Sequence, residues 1–116
     1  METQRQNGTL TIIGLRELST TNARSFRAAM AELLSADVQR VEIDLSQTQL
    51  VDSCGLGALI ALLQAASDNR HECAVNIRLL NPLPPVQQMI ELTRLHHLFE
   101  IISPPVSTQN AALNSA

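Results

Sequence analysis

The side chains best suited to chemistry in this sequence lie together in one short stretch, DSCGLG, at residues 52–57. A carboxylate, a hydroxyl and a thiol follow one another at Asp52, Ser53 and Cys54, and an apolar run comes directly after them. Oxygens of Asp and Ser accept hydrogen bonds from the free N–H groups at the start of a helix, and a negative charge is stabilised at that end of the helix dipole. The stretch therefore predicts a helix N-terminus that presents an acid, a hydroxyl and a thiol at one tip.

Each of these residues also has an interpretation without a function. Asp52 and Ser53 are ordinary capping residues wherever a helix begins. Cys54 suits a small buried position, as free cysteines commonly do, or redox sensing, because a helix N-terminus favours the thiolate. Catalysis by a Cys54 nucleophile has less support, because no histidine lies near it in the sequence to act as a base.

The remaining candidate residues form no recognisable catalytic or metal-binding pattern. His71, His96, His97 and the second cysteine, Cys73, lack the spacing of zinc ligands. The four glycines match neither a phosphate-binding loop nor a dinucleotide fingerprint. We therefore expect no catalytic residue, no metal and no cofactor.

Composition argues against several classes of function. A formal charge of −3, with no Trp or Tyr and two Phe in 116 residues, supplies neither the basic surface nor the stacking platforms of a nucleic-acid binder. The chain begins with a polar segment that does not resemble a signal peptide. The longest apolar run, residues 54–63, is too short to span a membrane. We expect a cytosolic protein with reduced thiols and no direct membrane insertion.

Segments with strand and helix patterns alternate along the chain around this stretch. Alternating apolar residues predict strands at residues 9–15, 40–46 and 74–80, and a short edge strand at 99–102. Helical spacing predicts helices over residues 21–35 and 55–67, and a third helix that begins at Pro84 and Pro85. Such alternation is typical of an α/β domain with parallel interior strands.

The expected helices carry finer predictions. The N-cap candidates of the first helix are Ser19, Thr20 and Thr21. The helix at residues 55–67 is apolar nearly all round, so we expect its Leu-rich stripe to face the sheet and its Ala-rich face to be available to another protein. Leu92 is expected on the apolar face of the third helix.

Residues 41–66 read VEIDLSQTQLVDSCGLGALIALLQAA. A predicted strand ends in Asp-Leu-Ser at residues 44–46, and a predicted helix opens with the motif at 52–57. This order resembles the STAS family, the sulfate-transporter and anti-sigma-factor-antagonist domain, and the likeness extends over residues 8–102. The resemblance implies a single α/β domain with a mixed β-sheet of about four to five strands, helices packed mainly on one face, and a short first strand ahead of Gly8.

The resemblance also implies a non-enzymatic switch. Antagonists of this family bind a serine-kinase anti-sigma factor, and the kinase phosphorylates the Ser or Thr just before Gly-Leu-Gly, which breaks the complex. That acceptor position is Cys54 here, and Ser53 is the alternative acceptor. The residues that the resemblance and the motif place at the partner are Asp52, Ser53, Cys54, Gly55, Leu56, Gly57, Ser19, Thr20 and Thr21.

Several functions stay open, because a thiol is not a substrate for an ordinary serine kinase. The protein is a constitutive antagonist, or Ser53 takes over as acceptor, or the domain is the small cytosolic STAS subunit that docks on an ABC-type lipid transporter. A thiol redox switch at Cys54 is a further alternative. We expect the STAS domain to occupy residues 1–102 and a disordered tail to follow at 103–116.

Overall fold

The computed structural model describes residues 1–35, 37–66 and 75–102, so the predicted tail and Cys73 lie outside the described residues. Within these ranges the elements are β1 (Glu2–Gln6), β2 (Thr9–Ile13), β3 (Glu17–Leu18), α1 (Ala23–Leu33), β4 (Arg40–Asp44), β5 (Leu50–Val51), α2 (Ser53–Ala66), β6 (Asn76–Leu80), α3 (Pro84–Leu92), a 3₁₀ turn (Leu95–His97) and β7 (Glu100–Ile102).

The main sheet has five strands in the order β1-β2-β4-β6-β7. β1 pairs antiparallel with β2, and every other pair is parallel. Asn7 and Gly8 join β1 to β2 with φ angles of +52° and +79°, as in the tight turn that suits a two-residue hairpin. The strand expected ahead of Gly8 is therefore present, and the mixed α/β architecture is confirmed.

One face of this sheet forms the core. In β4 the side chains of Val41 and Ile43 are buried, while those between them are half-exposed. The register places Val41 beside Leu10 on one side and Ile77 on the other, so the apolar side chains of adjacent strands line up. Helices α1, α2 and α3 add buried side chains to the same hydrophobic cluster. On the opposite face, Arg78 pairs with Glu42 and Glu100.

A second, smaller sheet fixes the two helix starts. β3 and β5 are two residues long and pair in parallel, with Glu17 beside Leu50 and Leu18 beside Val51. β3 leads into the turn before α1, and β5 leads directly into α2. This pairing, which the sequence did not predict, brings the start of α1 next to the start of α2.

The prediction for the Ala-rich face of α2 is partly wrong. Ala58 is only 1% exposed and lies against α1, because small side chains let two helices approach closely. Leu59 and Leu62 are buried. Ala61 and Ala65 are half-buried beside a groove between the helices, which is all that remains of the expected free face.

Two predictions at helix ends are also wrong. α1 begins after Asn22, and none of the three hydroxyl residues before Asn22 caps it. Leu92, expected on the apolar face of α3, is 77% exposed. α3 ends at this residue, and the backbone turns away at Arg94, whose φ is +62°. Leu95 is buried instead.

Candidate functional site

The predicted site lies where the β3–α1 turn meets the start of α2. Asp52 directly precedes α2, and one of its carboxylate oxygens accepts a hydrogen bond from the N–H of Gly55 at 3.0 Å. This is the N-cap interaction expected from the sequence. Ser53 is the first residue of the helix and is exposed, so Asp52 rather than Ser53 is the cap.

The second carboxylate oxygen of Asp52 binds the other helix start. It accepts hydrogen bonds from the backbone N–H and from the hydroxyl of Thr20, both at 2.9 Å. The pKa of the Asp52 carboxyl is below its usual value. The hydrogen bond from the N–H of Thr20 lowers it most, and the hydrogen bond from the N–H of Gly55 has the next largest effect. Asp52 therefore acts as a charged clamp between the two helix starts, with both oxygens already engaged inside the protein.

Cys54 lies next to this clamp and is exposed. Its Sγ is 3.4 Å from the hydroxyl oxygen of Thr20. That hydroxyl has one proton, and the Asp52 carboxylate is the stronger acceptor for it. The thiol of Cys54 consequently donates to the Thr20 oxygen, which completes a chain from Cys54 through Thr20 to Asp52. The interpretation of Cys54 as a small buried residue is wrong.

The other two hydroxyl residues of the turn have different surroundings. Ser19, predicted at the partner surface, is only 3% exposed, and its hydroxyl donates to Glu17 at 3.2 Å while it accepts from the N–H of Thr21. Asn22 closes the turn by accepting from the N–H of Ser19 at 2.9 Å. Ser19 therefore shapes the turn from within, whereas Thr20 and Thr21 are exposed.

The two glycines of the motif have opposite environments. Gly55 is buried, and a Cβ at this position would lie 1.8 Å from the carbonyl oxygen of Leu18 in β3. No such contact exists at Gly57, where a Cβ would meet nothing within 4 Å. Gly55 thus lets α2 pack closely against β3. Gly57 leaves the exposed side of α2 without a side chain at this position, and Leu56 between the two glycines is half-buried.

Sequence reasoning missed Arg24 and Arg27 as residues of this site. Both are exposed on α1 and, with Thr20, Cys54 and Gly57, line a surface groove of about 760 Å³. Their spacing of three residues on a helix that follows the hydroxyl turn was a usable signal. The packing of α1 beside α2, which brings them to Cys54, was not visible in the sequence.

The described parts of the chain contain neither a candidate metal site nor a candidate membrane-spanning helix. No three His, Cys, Asp or Glu residues there are placed to hold a metal ion. No helix there has the length and apolar character needed to cross a membrane.

The Asp52 clamp predicts a pH dependence of stability. The folded-state pKa is lowered, so the stabilisation by the carboxylate is fully present above the unfolded-state pKa of about 3.9. It is lost as the pH falls through the lower folded-state value. We expect Asp52→Asn to unfold at lower urea concentration than wild type at neutral pH, and the difference to shrink in acid. Urea unfolding at a series of pH values measures this, with Thr20→Val as a milder variant that removes the hydroxyl and its hydrogen bonds to Asp52 and Cys54 but keeps the backbone N–H bond to Asp52. A difference that stays constant into acid would contradict the clamp.

These features together define a class of protein. A mixed sheet with an antiparallel first strand, helices on one face and the motif of residues 52–57 at the start of α2 is a STAS-type α/β domain. The chain belongs to the family described as "Mlab, STAS domain", whose model matches residues 1–102. The family resemblance predicted from the sequence is therefore confirmed.

Solved structures share this fold. A candidate anti-sigma factor antagonist from Thermotoga maritima has a TM-score of 0.76 at 19% identity, covering 89% of this chain and 86% of its own. An anti-sigma factor antagonist from Mycobacterium paratuberculosis has a TM-score of 0.74 at 18% identity, covering 89% and 84%. The antagonist SpoIIAA in its unphosphorylated form has a TM-score of 0.59 at 20% identity, covering 78% and 81%. No curated protein sequence matches the chain significantly.

Proposed function

We propose that this protein is a cytosolic, non-enzymatic signalling module of the anti-sigma-factor-antagonist type. Its partner is a serine-kinase anti-sigma factor, which binds at the start of α2. The observation that carries the proposal is the exposed thiol of Cys54 beside Thr20 and Asp52, at the position that the family resemblance assigns to the phospho-acceptor. Structural neighbours described as anti-sigma factor antagonists support the choice of partner.

The proposed contact surface consists of the exposed and half-buried residues around this thiol. They are Thr20, Thr21, Asp52, Ser53, Cys54, Leu56 and Gly57. Ser19 and Gly55 are buried, so their part is to hold the two helix starts together. Because both oxygens of Asp52 are engaged by Thr20 and Gly55, the partner meets mainly hydroxyl, thiol and backbone groups here.

Cys54 changes the switch that the family resemblance implies. A phosphate on this tip would add close to two negative charges to a tight interface, but a thiol is not the alcohol that a serine kinase phosphorylates. We therefore propose an antagonist that ATP does not release from its partner through residue 54. Ser53 is exposed one residue earlier and is the alternative acceptor.

The cysteine at residue 54 also favours a second candidate function. A STAS subunit that only docks on an ABC-type lipid transporter needs no phospho-acceptor, so a cysteine at residue 54 has no disadvantage there. This candidate uses the same tip as a permanent contact. It differs from the first in its partner and in having no ATP-dependent release.

A direct binding measurement separates the two candidates. Purified protein is titrated by calorimetry against each serine-kinase anti-sigma factor and each ABC-transporter ATPase subunit of the same genome. We expect a saturable one-to-one complex with an anti-sigma factor. Binding to an ATPase subunit alone would overturn the proposed function and establish the second candidate.

A further inference from the structure

A groove runs along the surface between α1 and α2, starting at Cys54. Its first part, about 760 Å³, is lined by Arg24, Arg27, Cys54 and Gly57 among others. Its second part, about 200 Å³, is lined by Arg27 again, with Ala31, Ala61 and Ala65. Both parts adjoin the side chain of Arg27, and we call them together the α1–α2 groove.

The floor of the α1–α2 groove is apolar and open. Met30 and Leu62 line its second part, and both are only 3% exposed, because they belong to the hydrophobic core beneath the groove. Beside Gly57 there is open space where any other residue would place a side chain. From Cys54 to Ala65 the α2 backbone rises about 16 Å, or three helical turns.

One wall of the groove is positively charged. Arg24 and Arg27 are exposed, and neither guanidinium has a hydrogen bond or ion pair with another residue in the described part of the chain. By contrast, Arg78 on the sheet is paired with two glutamates. The groove therefore carries two unpaired positive charges beside apolar residues, although the formal charge of the whole chain is −3.

We propose that the α1–α2 groove docks an amphipathic helix of the protein partner, whose acidic residues lie along the edge that faces Arg24 and Arg27. The proposal rests on the proposed function, because it gives the chemistry of the partner surface next to Cys54. Carboxylates are the groups that guanidinium pairs best, often through two hydrogen bonds. The apolar face of the helix covers the half-buried Ala61 and Ala65, beneath which Met30 and Leu62 are buried.

A helix fits this groove better than an extended segment does. The walls are helices, whose backbone N–H and C=O groups are already bonded within α1 and α2. An extended segment would find no backbone partners along them and would bury its own polar groups unpaired. A helix brings its backbone bonds satisfied and needs only side-chain contacts, and small residues on the groove side of α2 let its axis approach closely.

Charge reversal tests the proposal. Arg24→Glu and Arg27→Glu, singly and together, are compared with wild type for binding to whichever anti-sigma factor or ATPase subunit forms the one-to-one complex. We expect each single variant to raise Kd at least about tenfold and the double variant to raise it further, because like charges then face each other. Arg40→Glu, which makes the same charge change on the face of the sheet opposite the helices, should leave Kd within about twofold of wild type.

A second variant tests the groove by shape. Gly57→Leu places a side chain in the groove, and its Cβ has no atom of the protein within 4 Å. We expect weaker binding by at least about tenfold without a loss of unfolding free energy. A structural defect would instead lower both the affinity for the partner and the unfolding free energy. Urea unfolding followed by circular dichroism measures the unfolding free energy.

The outcomes distinguish this inference from the function on which it rests. If an anti-sigma factor binds wild type and the double charge-reversal variant with equal affinity, the groove proposal is overturned and the proposed function stands. If only an ATPase subunit binds, and the reversals weaken it, the groove proposal stands and the proposed function falls. Restoration of binding to Arg27→Glu by a Glu→Lys change in the partner's docking helix would support the pairing directly. Binding by neither class of partner would overturn both.

Discussion

Gly55→Ala is expected to lower the unfolding free energy by about 3 kcal/mol. The added Cβ would lie 1.8 Å from the carbonyl oxygen of Leu18 and 2.6 Å from its carbon. These are backbone atoms of β3, so no side chain can rotate to make room. The same carbonyl accepts a hydrogen bond from the N–H of Asp52 at 3.3 Å, so moving α2 outward would also weaken that bond. Urea unfolding followed by circular dichroism measures the loss.

Gly57→Ala is the matched control for this prediction. It makes the same change two residues later in the same helix, where nothing lies within 4 Å of the new Cβ. We expect this variant to be more stable than wild type by about 0.5–1 kcal/mol, because alanine loses less conformational freedom than glycine in a helix. Equal stability of the two variants would contradict the close packing of α2 on β3. If Gly55→Ala does not fold at all while Gly57→Ala does, the loss exceeds the stability of the wild type, which is the direction that the close packing predicts.

The second large effect is expected for Cys54→Asp, which should raise the Kd for the anti-sigma factor about 100-fold or more, or about 3 kcal/mol. Cys54 is exposed, so the substitution removes no core contact. The new carboxylate is placed at the centre of the proposed interface. It also lies in the groove that Arg24 and Arg27 line, where it competes with the partner's acidic residues. Calorimetric titration of the complex measures the change.

Two controls accompany Cys54→Asp. Gln88→Glu adds the same charge on an exposed position of α3, outside the proposed surface, and should leave Kd within about twofold of wild type. The unfolding free energy of Cys54→Asp should stay within about 1 kcal/mol of wild type. Unchanged affinity in Cys54→Asp would show that the start of α2 is not the interface.

Much of the fold was predictable because its signals are local. Strands β2, β4 and β6 alternate in hydrophobicity, and their one-sided burial follows the pattern. The start of α2 was predictable within two residues, because Asp52 is a strong cap. The β1–β2 hairpin also had a local signal in Asn7-Gly8, the pair that suits a tight two-residue turn.

Other features depend on contacts between distant parts of the chain. β3 and β5 are two residues long, too short for any periodicity, and they exist because they pair with each other. Ser19 is buried because the pairing of β3 with β5 brings the β3–α1 turn against the start of α2. The same applies to Thr20, whose bonds to Asp52 and Cys54 span more than thirty residues of sequence. The composition of the site was therefore predictable, but its clamp was not.

The central claim is that this STAS domain binds its anti-sigma factor through the start of α2 and that Cys54 removes the release step. The measurement that tests it most directly incubates wild type and Cys54→Ser with the bound serine-kinase anti-sigma factor and ATP. Intact mass and complex formation are then followed together. We predict that wild type stays unmodified and bound, whereas Cys54→Ser gains one phosphate and dissociates. Phosphorylation of wild type at Ser53 with release of the partner, or no phosphorylation of Cys54→Ser while the complex persists, would contradict the claim.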